Sequence, residues 1–273
     1  MKRENGTPES GGSPLAKEFF HRRELKYLVP LATCEALAAS LLSRMKPDTF
    51  GRDGKYAIAS LYFDSPDNAI YWETANRLPI RRKLRLRIYE KAERGGTAFF
   101  EIKQKVNNWV HKRRTMLTLE DGYRFVERWA DPAQAPVASS NEQVAREIWQ
   151  FQRTYRLRPK VIIRYERLAL EGVDDPELRI TFDRGLTCRT GSLRLERDEP
   201  DLPFVHPDYA IMEVKAGRSV PVWLSRLLAE FGCRRSAVSK YLSGVNAACP
   251  VGPVRSHKIF MFDGSVNSHG LYP

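Results

Sequence analysis

The chain has 273 residues, 42% of them hydrophobic, enough for a sizeable buried core in one large or two small domains; 45 Lys and Arg against 33 Asp and Glu give a formal net charge of +12. This charge favours a polyanionic partner and leaves nucleic acid, anionic lipid and polyphosphate all open. Four cysteines without a CxxC pair, and without metal-site spacing to the five histidines, argue against a zinc site or a disulfide framework. No apolar run approaches the length of a membrane span, so the expectation is a soluble, cytoplasmic chain whose Cys and His residues are structural.

Residues 1–15, rich in Gly, Pro, Ser and Glu, read as a disordered tail. A strand is expected over 20–29, with Arg22, Glu24 and Lys26 alternating with Leu25, Tyr27 and Val29. A helix over 31–45 carries Leu31, Cys34, Leu37, Ala38, Leu41, Leu42 and Met45 at helical spacing. After a strand at 58–64, "SPDNAIYWETANR" reads as a short helix with a Ser cap, and Asp64 as a turn or cap residue. Strands follow at 82–90, 97–106 and 110–119, joined by short turns, and "SSNEQVAREIWQFQRTY" is a capped helix. Further strands are expected at 160–170, 178–184, 192–197 and 209–215. A helix through Leu224, Leu227, Leu228 and Phe231 ends at Gly232, and "SAVSKYLSGV" gives another. No fold is assigned to 249–273. The pattern is that of a mostly antiparallel α+β protein.

The strands carry an unusual charge pattern. "KLRLR" puts Lys83, Arg85 and Arg87 on one face about 7 Å apart, with no anion between them on that face. "FFEIKQK" alternates in the same way, putting Glu101, Lys103 and Lys105 on one face. Lys112 and Arg114 share a face, although Arg113 leaves the phase of that strand open. Arg164 pairs in alternation with Glu166, Arg179 with Asp183, Arg194 with Glu196, and Glu213 with Lys215. Any one such strand could be the wet face of an ordinary sheet. Together they favour a sheet curled around a polyanion, because like charges this close repel unless an anion sits among them. Tyr27, Tyr62, Phe63 and Trp72 are read as core, and Asp183 is divided evenly between metal ligand and strand-end partner.

"RRELKYLVP", "SLYFDSPDNAIYWE", "KLRLRIYE", "FFEIKQK", "VIIRYERLAL", "LRITFD", "IMEVKAG" and "SAVSKYLSGV" occur in an order and spacing that resembles the VTC domain. That domain is the polyphosphate polymerase module of the vacuolar transporter chaperone complex, and it belongs to the CYTH-like triphosphate tunnel metalloenzymes. The resemblance covers about residues 18–246, within a domain set at 16–248. It implies a closed antiparallel β-barrel of about eight strands with flanking helices, and transfer of the γ-phosphate of ATP onto a growing polyphosphate chain with Mn²⁺ or Mg²⁺.

Carried over by motif, the resemblance implies a basic catalytic lining of Lys26, Arg85, Arg87, Lys103, Arg164, Lys215 and Lys240. Substrate contacts would come from Arg22, Lys83, Lys112 and Arg114, and metal-binding carboxylates from Glu213, Glu24 and Glu101. Arg22 stands where CYTH triphosphatases carry the first Glu of ExExK, which is the VTC-like pattern. No SPX domain precedes the region and no membrane segment follows it, so export of a product would need a separate membrane-protein partner. Nucleic acid is not expected, since the basic residues alternate within strands instead of forming an outer patch. Two rivals remain: an inorganic or nucleoside triphosphatase of the same fold, and a non-catalytic polyanion-binding module.

Overall fold

The computed structural model describes residues 23–107, 109–130, 139–217, 219–249 and 251. Arg22, the segment 1–15 and most of 249–273 lie outside the described residues. One antiparallel sheet contains β1 (Arg23–Pro30), β2 (Met45–Pro47), β3 (Lys55–Asp64), β4 (Ile80–Tyr89), β5 (Thr97–Val106), β6 (Trp109–Thr118), β7 (Arg158–Gly172), β8 (Arg179–Arg189), β9 (Leu202–Pro203) and β10 (Tyr209–Ala216). Its order is β1-β10-β8-β7-β3-β4-β5-β6, with β2 added on β7 and β9 on β8.

Side chains of alternate parity separate the two faces. On one face Tyr27, Val29, Ile180, Phe182, Met212 and Val214 form a core with α1 (Leu31–Leu41) and α5 (Val222–Glu230). Farther along the sheet, Leu84, Leu86, Phe100 and Ile102 do the same under α3 (Leu119–Glu127) and α4 (Glu142–Tyr155). The other face carries the charges. The helices therefore cover the convex side, and burial of the apolar parity holds the charged parity inward.

How strongly the sheet curls is measured by one contact. The Lys103 ammonium on β5 donates to Glu24 on β1 at 2.9 Å, although six strand steps separate these strands in the sheet order. In a flat sheet they would lie about 29 Å apart at about 4.8 Å per strand. The curl is nearly complete, yet β1 and β6 do not pair, so the expected closed barrel is corrected to an open sheet. The reason lies at the outer edge of β1. There Ser236 N–H donates to the Lys26 carbonyl at 2.8 Å and Arg235 bridges to Tyr27, so the segment leading into α6 takes part of the edge that a closing ladder would use.

Several elements depart from the sequence expectation, beginning with the helix expected over 31–45, which ends at Leu41 so that Met45 opens β2. The strand expected at 192–197 is a loop, because its carbonyls are taken by arginines from β7 and β8. Arg189 donates to Ser192 O and Arg194 O, and Arg164 to Leu195 O and Arg197 O. The helix after "SPDN" begins later than its Pro suggested, as α2 (Ala69–Ala75). Asp64 anchors it, accepting from the backbone N–H of Ile70 and Tyr71. Finally, α3 stands where no helix was expected; the Thr118 side chain caps it by accepting from Asp121 N–H at 3.1 Å. No helix among the described residues is long and apolar enough to cross a membrane.

Candidate functional site

Cross-strand pairing brings the expected lining together residue by residue. Lys83 lies opposite Lys103, and Lys103 opposite Lys112; Arg85 lies opposite Glu101, and Glu101 opposite Arg114. On the facing wall Lys26 lies opposite Glu213 and Glu24 opposite Lys215. All of these belong to the concave face. The open phase of β6 is thereby resolved: Lys112 and Arg114 point inward, while Arg113 pairs with Glu147 of α4 at 2.5 Å on the convex side.

The first subsite surrounds Glu101, which is 1% exposed. Arg85 grips it through Nε and Nη2, both at 2.6 Å, Arg87 approaches to 3.9 Å, and Lys112 pairs with its other oxygen. Arg85 also donates to the Tyr62 hydroxyl, and Arg87 to Ser60 Oγ and Tyr165 OH. These bonds hold both guanidinium groups in fixed orientations. Burial pushes the Glu101 carboxyl up, but Arg85, Arg87 and Lys112 more than offset it, leaving it well below the ordinary carboxylate range.

On the opposite wall the second subsite places the Lys26 ammonium 3.2 Å from both Glu24 and Glu213. Glu213 also receives Lys215 at 3.6 Å and Lys240 at 2.8 Å. Lys240 is the first residue of α6 (Lys240–Ala248), capped by Ser239. Its ammonium sits between Glu213 and Asp183, at 2.6 Å from the latter. Burial alone would lower Lys240, but these two carboxylates raise it, so it stays charged. α6 lies across one end of the concave face: Tyr241 stacks on Tyr62 and its hydroxyl bonds Asp64.

Cations outnumber carboxylates on this face, and the surplus is visible in individual groups. Among the described residues Lys83 has no carboxylate in ion-pair range; its ammonium bonds Ser239 Oγ at 3.2 Å. Burial, with Lys26 and Lys103 close by, pushes it down to about 7. Burial pushes Lys112 and Lys215 down as well, each to about 8, against the pull of Glu101 and Glu213. Burial and like-charge neighbours thus disfavour the charged form of all three lysines in the ligand-free fold.

Arg164 is not brought to this cluster. Its parity puts it on the convex side, where it holds the 195–197 carbonyls and pairs with Asp201 at 3.1 Å. The inward residue of β7 is Arg167, which binds Asp183 through Nε at 2.7 Å and Nη2 at 2.9 Å. Sequence reasoning missed it because "RYER" carries charge in both phases. The choice follows the ladder with β3, in which Arg164 lies opposite Ala59 and Arg167 opposite Tyr56; beside it β8 bulges, setting Gly185 and Leu186 against Tyr165 alone. Gly185 takes φ 59°, which glycine adopts without strain.

Of the three carboxylates expected to bind metal, Glu24 and Glu213 stand together around Lys26, whereas Glu101 is committed to arginines on the other wall. No group of three His, Cys, Asp or Glu suited to a metal is found among the described residues. The all-oxygen pair of Glu24 and Glu213 does suit a hard divalent cation that completes its shell with phosphate and water oxygens.

No curated protein matches the chain. The solved structures similar to the chain include two at low identity. One is HpAC1 from Hippeastrum, described as an adenylyl cyclase candidate with a dominant triphosphatase activity; it has 16% identity, TM-score 0.46, and coverage of 86% of this chain and 99% of that one. The other is PH1819 from Pyrococcus horikoshii OT3, with 11% identity, TM-score 0.41, and coverage of 81% and 96%. The profile of the VTC domain matches residues 21–249, nearly the whole span over which the charged strands and the capping helix follow one another, and the chain belongs to the VTC domain family.

Proposed function

We propose that the domain, residues 16–248, is a metal-dependent phosphotransferase that moves the γ-phosphate of ATP onto a growing inorganic polyphosphate chain bound on the concave face. The observation that carries this reading is the surplus of inward cations, above all Lys83, which has no carboxylate partner among the described residues and is pushed down to about 7. A bound phosphate chain would relieve that repulsion.

Phosphoryl transfer asks the protein mainly for in-line positioning and charge neutralisation. Arg85 and Arg87, held by Tyr62, Ser60 and Tyr165, present fixed forks to phosphate oxygens. Lys26, Lys103, Lys112 and Lys215 add point charges on both walls. The attacking group, the terminal phosphate of a chain, is already ionised near neutral pH and needs no strong base. Glu24 and Glu213 would hold a divalent Mn²⁺ or Mg²⁺, which when bound supplies neutralisation of phosphate charge.

The position of α6 favours a second reading, hydrolysis of a triphosphate. With Tyr241 stacked on Tyr62 and Lys240 tied to Glu213 and Asp183, one end of the charged face is covered. A long product would have to leave by the other end, whereas water and phosphate need no such passage. Incubation with ATP and Mn²⁺, read by a gel for chains and an assay for free phosphate, decides between the two. A ladder supports polymerisation, and phosphate without a ladder supports hydrolysis. If turnover is absent in the wild type while anions still bind, the site is a binding module. Glu213→Gln should abolish turnover and leave metal-free triphosphate binding in place if the site is enzymatic.

A further inference from the structure

The Lys26 ammonium occupies a point on which the two carboxylates suited to a hard cation converge. Glu24 and Lys26 share the inward parity of β1, and Lys26 lies directly opposite Glu213 on β10. Glu24 Oε1 and Glu213 Oε1 each approach its Nζ to 3.2 Å. The other oxygens are taken as well, Glu24 Oε2 by Lys103 at 2.9 Å and Glu213 Oε2 by Lys215 at 3.6 Å, and Lys240 adds a further ammonium to Glu213 Oε1 at 2.8 Å. Every oxygen of this pair that could hold a divalent cation therefore already faces an ammonium.

Four ammoniums thus stand against two carboxylates. Lys240 shares its charge with Asp183, but Arg167 balances Asp183 through Nε and Nη2. In the ligand-free fold a divalent cation would enter a region of net positive charge, partly out of water, where repulsion between like charges is several times stronger than in bulk solvent.

We propose that Lys26 is a resident counter-ion that keeps Glu24 and Glu213 closed to a divalent cation until a phosphate anion is bound, so that metal and anion occupy the site together and the carboxylates do not take up metal alone. The flexible stem of a lysine lets its ammonium swing from carboxylate to phosphate oxygen, and the charge of the anion reverses the sign of the local field. The coupling is reciprocal, since whatever factor the anion adds to metal affinity the metal adds to anion affinity. An ion pair with a purely structural role has no such consequence.

The inference rests on the phosphate-binding reading above and is tested separately from it. Full-length wild type in phosphate-free buffer would be titrated with Mn²⁺ alone and with Mn²⁺ plus inorganic triphosphate. Water-proton relaxation distinguishes slowly tumbling, protein-bound Mn²⁺ from Mn²⁺ on free triphosphate, and calorimetry reads metal-free triphosphate binding. Expected are Mn²⁺ uptake by wild type only with triphosphate, Mn²⁺ binding without anion at least about tenfold tighter in Lys26→Met than in wild type, and loss of that gain when Glu213→Gln is added. Lys26→Gln, which keeps the stem and a polar end, carries the same test if Lys26→Met does not fold. Equal Mn²⁺ affinity of wild type with and without triphosphate, no gain in the Lys26 variants, or a gain that survives Glu213→Gln would overturn the counter-ion role while leaving the phosphate site standing. Triphosphate binding without Mn²⁺ uptake in either titration would overturn the metal pair and the inference with it, and failure to bind triphosphate would overturn the phosphate site as well.

Discussion

Lys83→Met tests the electrostatic reasoning most directly, because it predicts opposite signs for stability and binding. The drop of the Lys83 ammonium from an ordinary 10.5 to about 7 arises from burial first and from Lys26 and Lys103 second. At about 1.4 kcal/mol per tenfold shift in proton affinity, the charged lysine disfavours the ligand-free fold by at most about 5 kcal/mol. Salt and relaxation of the flexible side chain reduce this, and about 2 kcal/mol is the working expectation. A base whose folded value is depressed exacts its full cost below the folded value, since both states are then charged. The cost fades as pH rises toward the unfolded value, where both are neutral. Lys83→Met should therefore stabilise the ligand-free protein at pH 7, raising Tm by about 4–8 °C, with the gain shrinking toward pH 10. The same variant should bind inorganic triphosphate about tenfold more weakly, having lost a charge-assisted contact. Thermal unfolding across pH, paired with calorimetric titration, reads both. A variant that is destabilised at pH 7, or that binds triphosphate as well as wild type, would show that Lys83 is an ordinary solvated lysine and refute the reasoning.

Triphosphate binding at pH 8 should take up about one to two protons, because a bound anion restores charge to Lys83, Lys112 and Lys215, which sit at about 7, 8 and 8 without it. Calorimetry in two buffers of different ionisation enthalpy measures this; zero uptake, or proton release, contradicts it, and the uptake should vanish near pH 6. Arg164→Ala should loosen the 192–201 loop, seen as faster amide exchange there, and leave triphosphate affinity within about twofold. Arg167→Met strips Asp183, 0% exposed, of one of its two cations and should lower stability by about 3–5 kcal/mol in denaturant unfolding; the reverse ranking would return Arg164 to the site. Tyr241→Phe removes the hydroxyl donated to Asp64, a carboxyl that burial already pushes up, and should cost about 1–3 kcal/mol in urea unfolding. An unchanged midpoint would mean that this bond does not anchor α6.

Most strands and the inward or outward side of most charged residues were readable from the chain alone, because side-chain direction in a strand is a local property with period two. "KLRLR", "FFEIKQK" and "IMEVKAG" each carry their charges in one parity only, so burial of the other parity leaves a single answer for Lys83, Arg85, Arg87, Glu101, Lys103, Glu213 and Lys215. Where charge occupied both parities, local reasoning had nothing to choose with. In "VIIRYERLAL" the ladder with β3, which sets Arg167 opposite Tyr56 and Arg164 opposite Ala59, decided for Arg167, and in "LRLER" two arginines from other strands captured the carbonyls and prevented a ladder. The closure of the sheet was a tertiary matter as well, since it depended on whether β6 or the segment before α6 reached the edge of β1. Meetings such as Lys103 with Glu24 join residues far apart in sequence whose encounter is set by the curl of the whole sheet, and no short stretch of sequence encodes that curl.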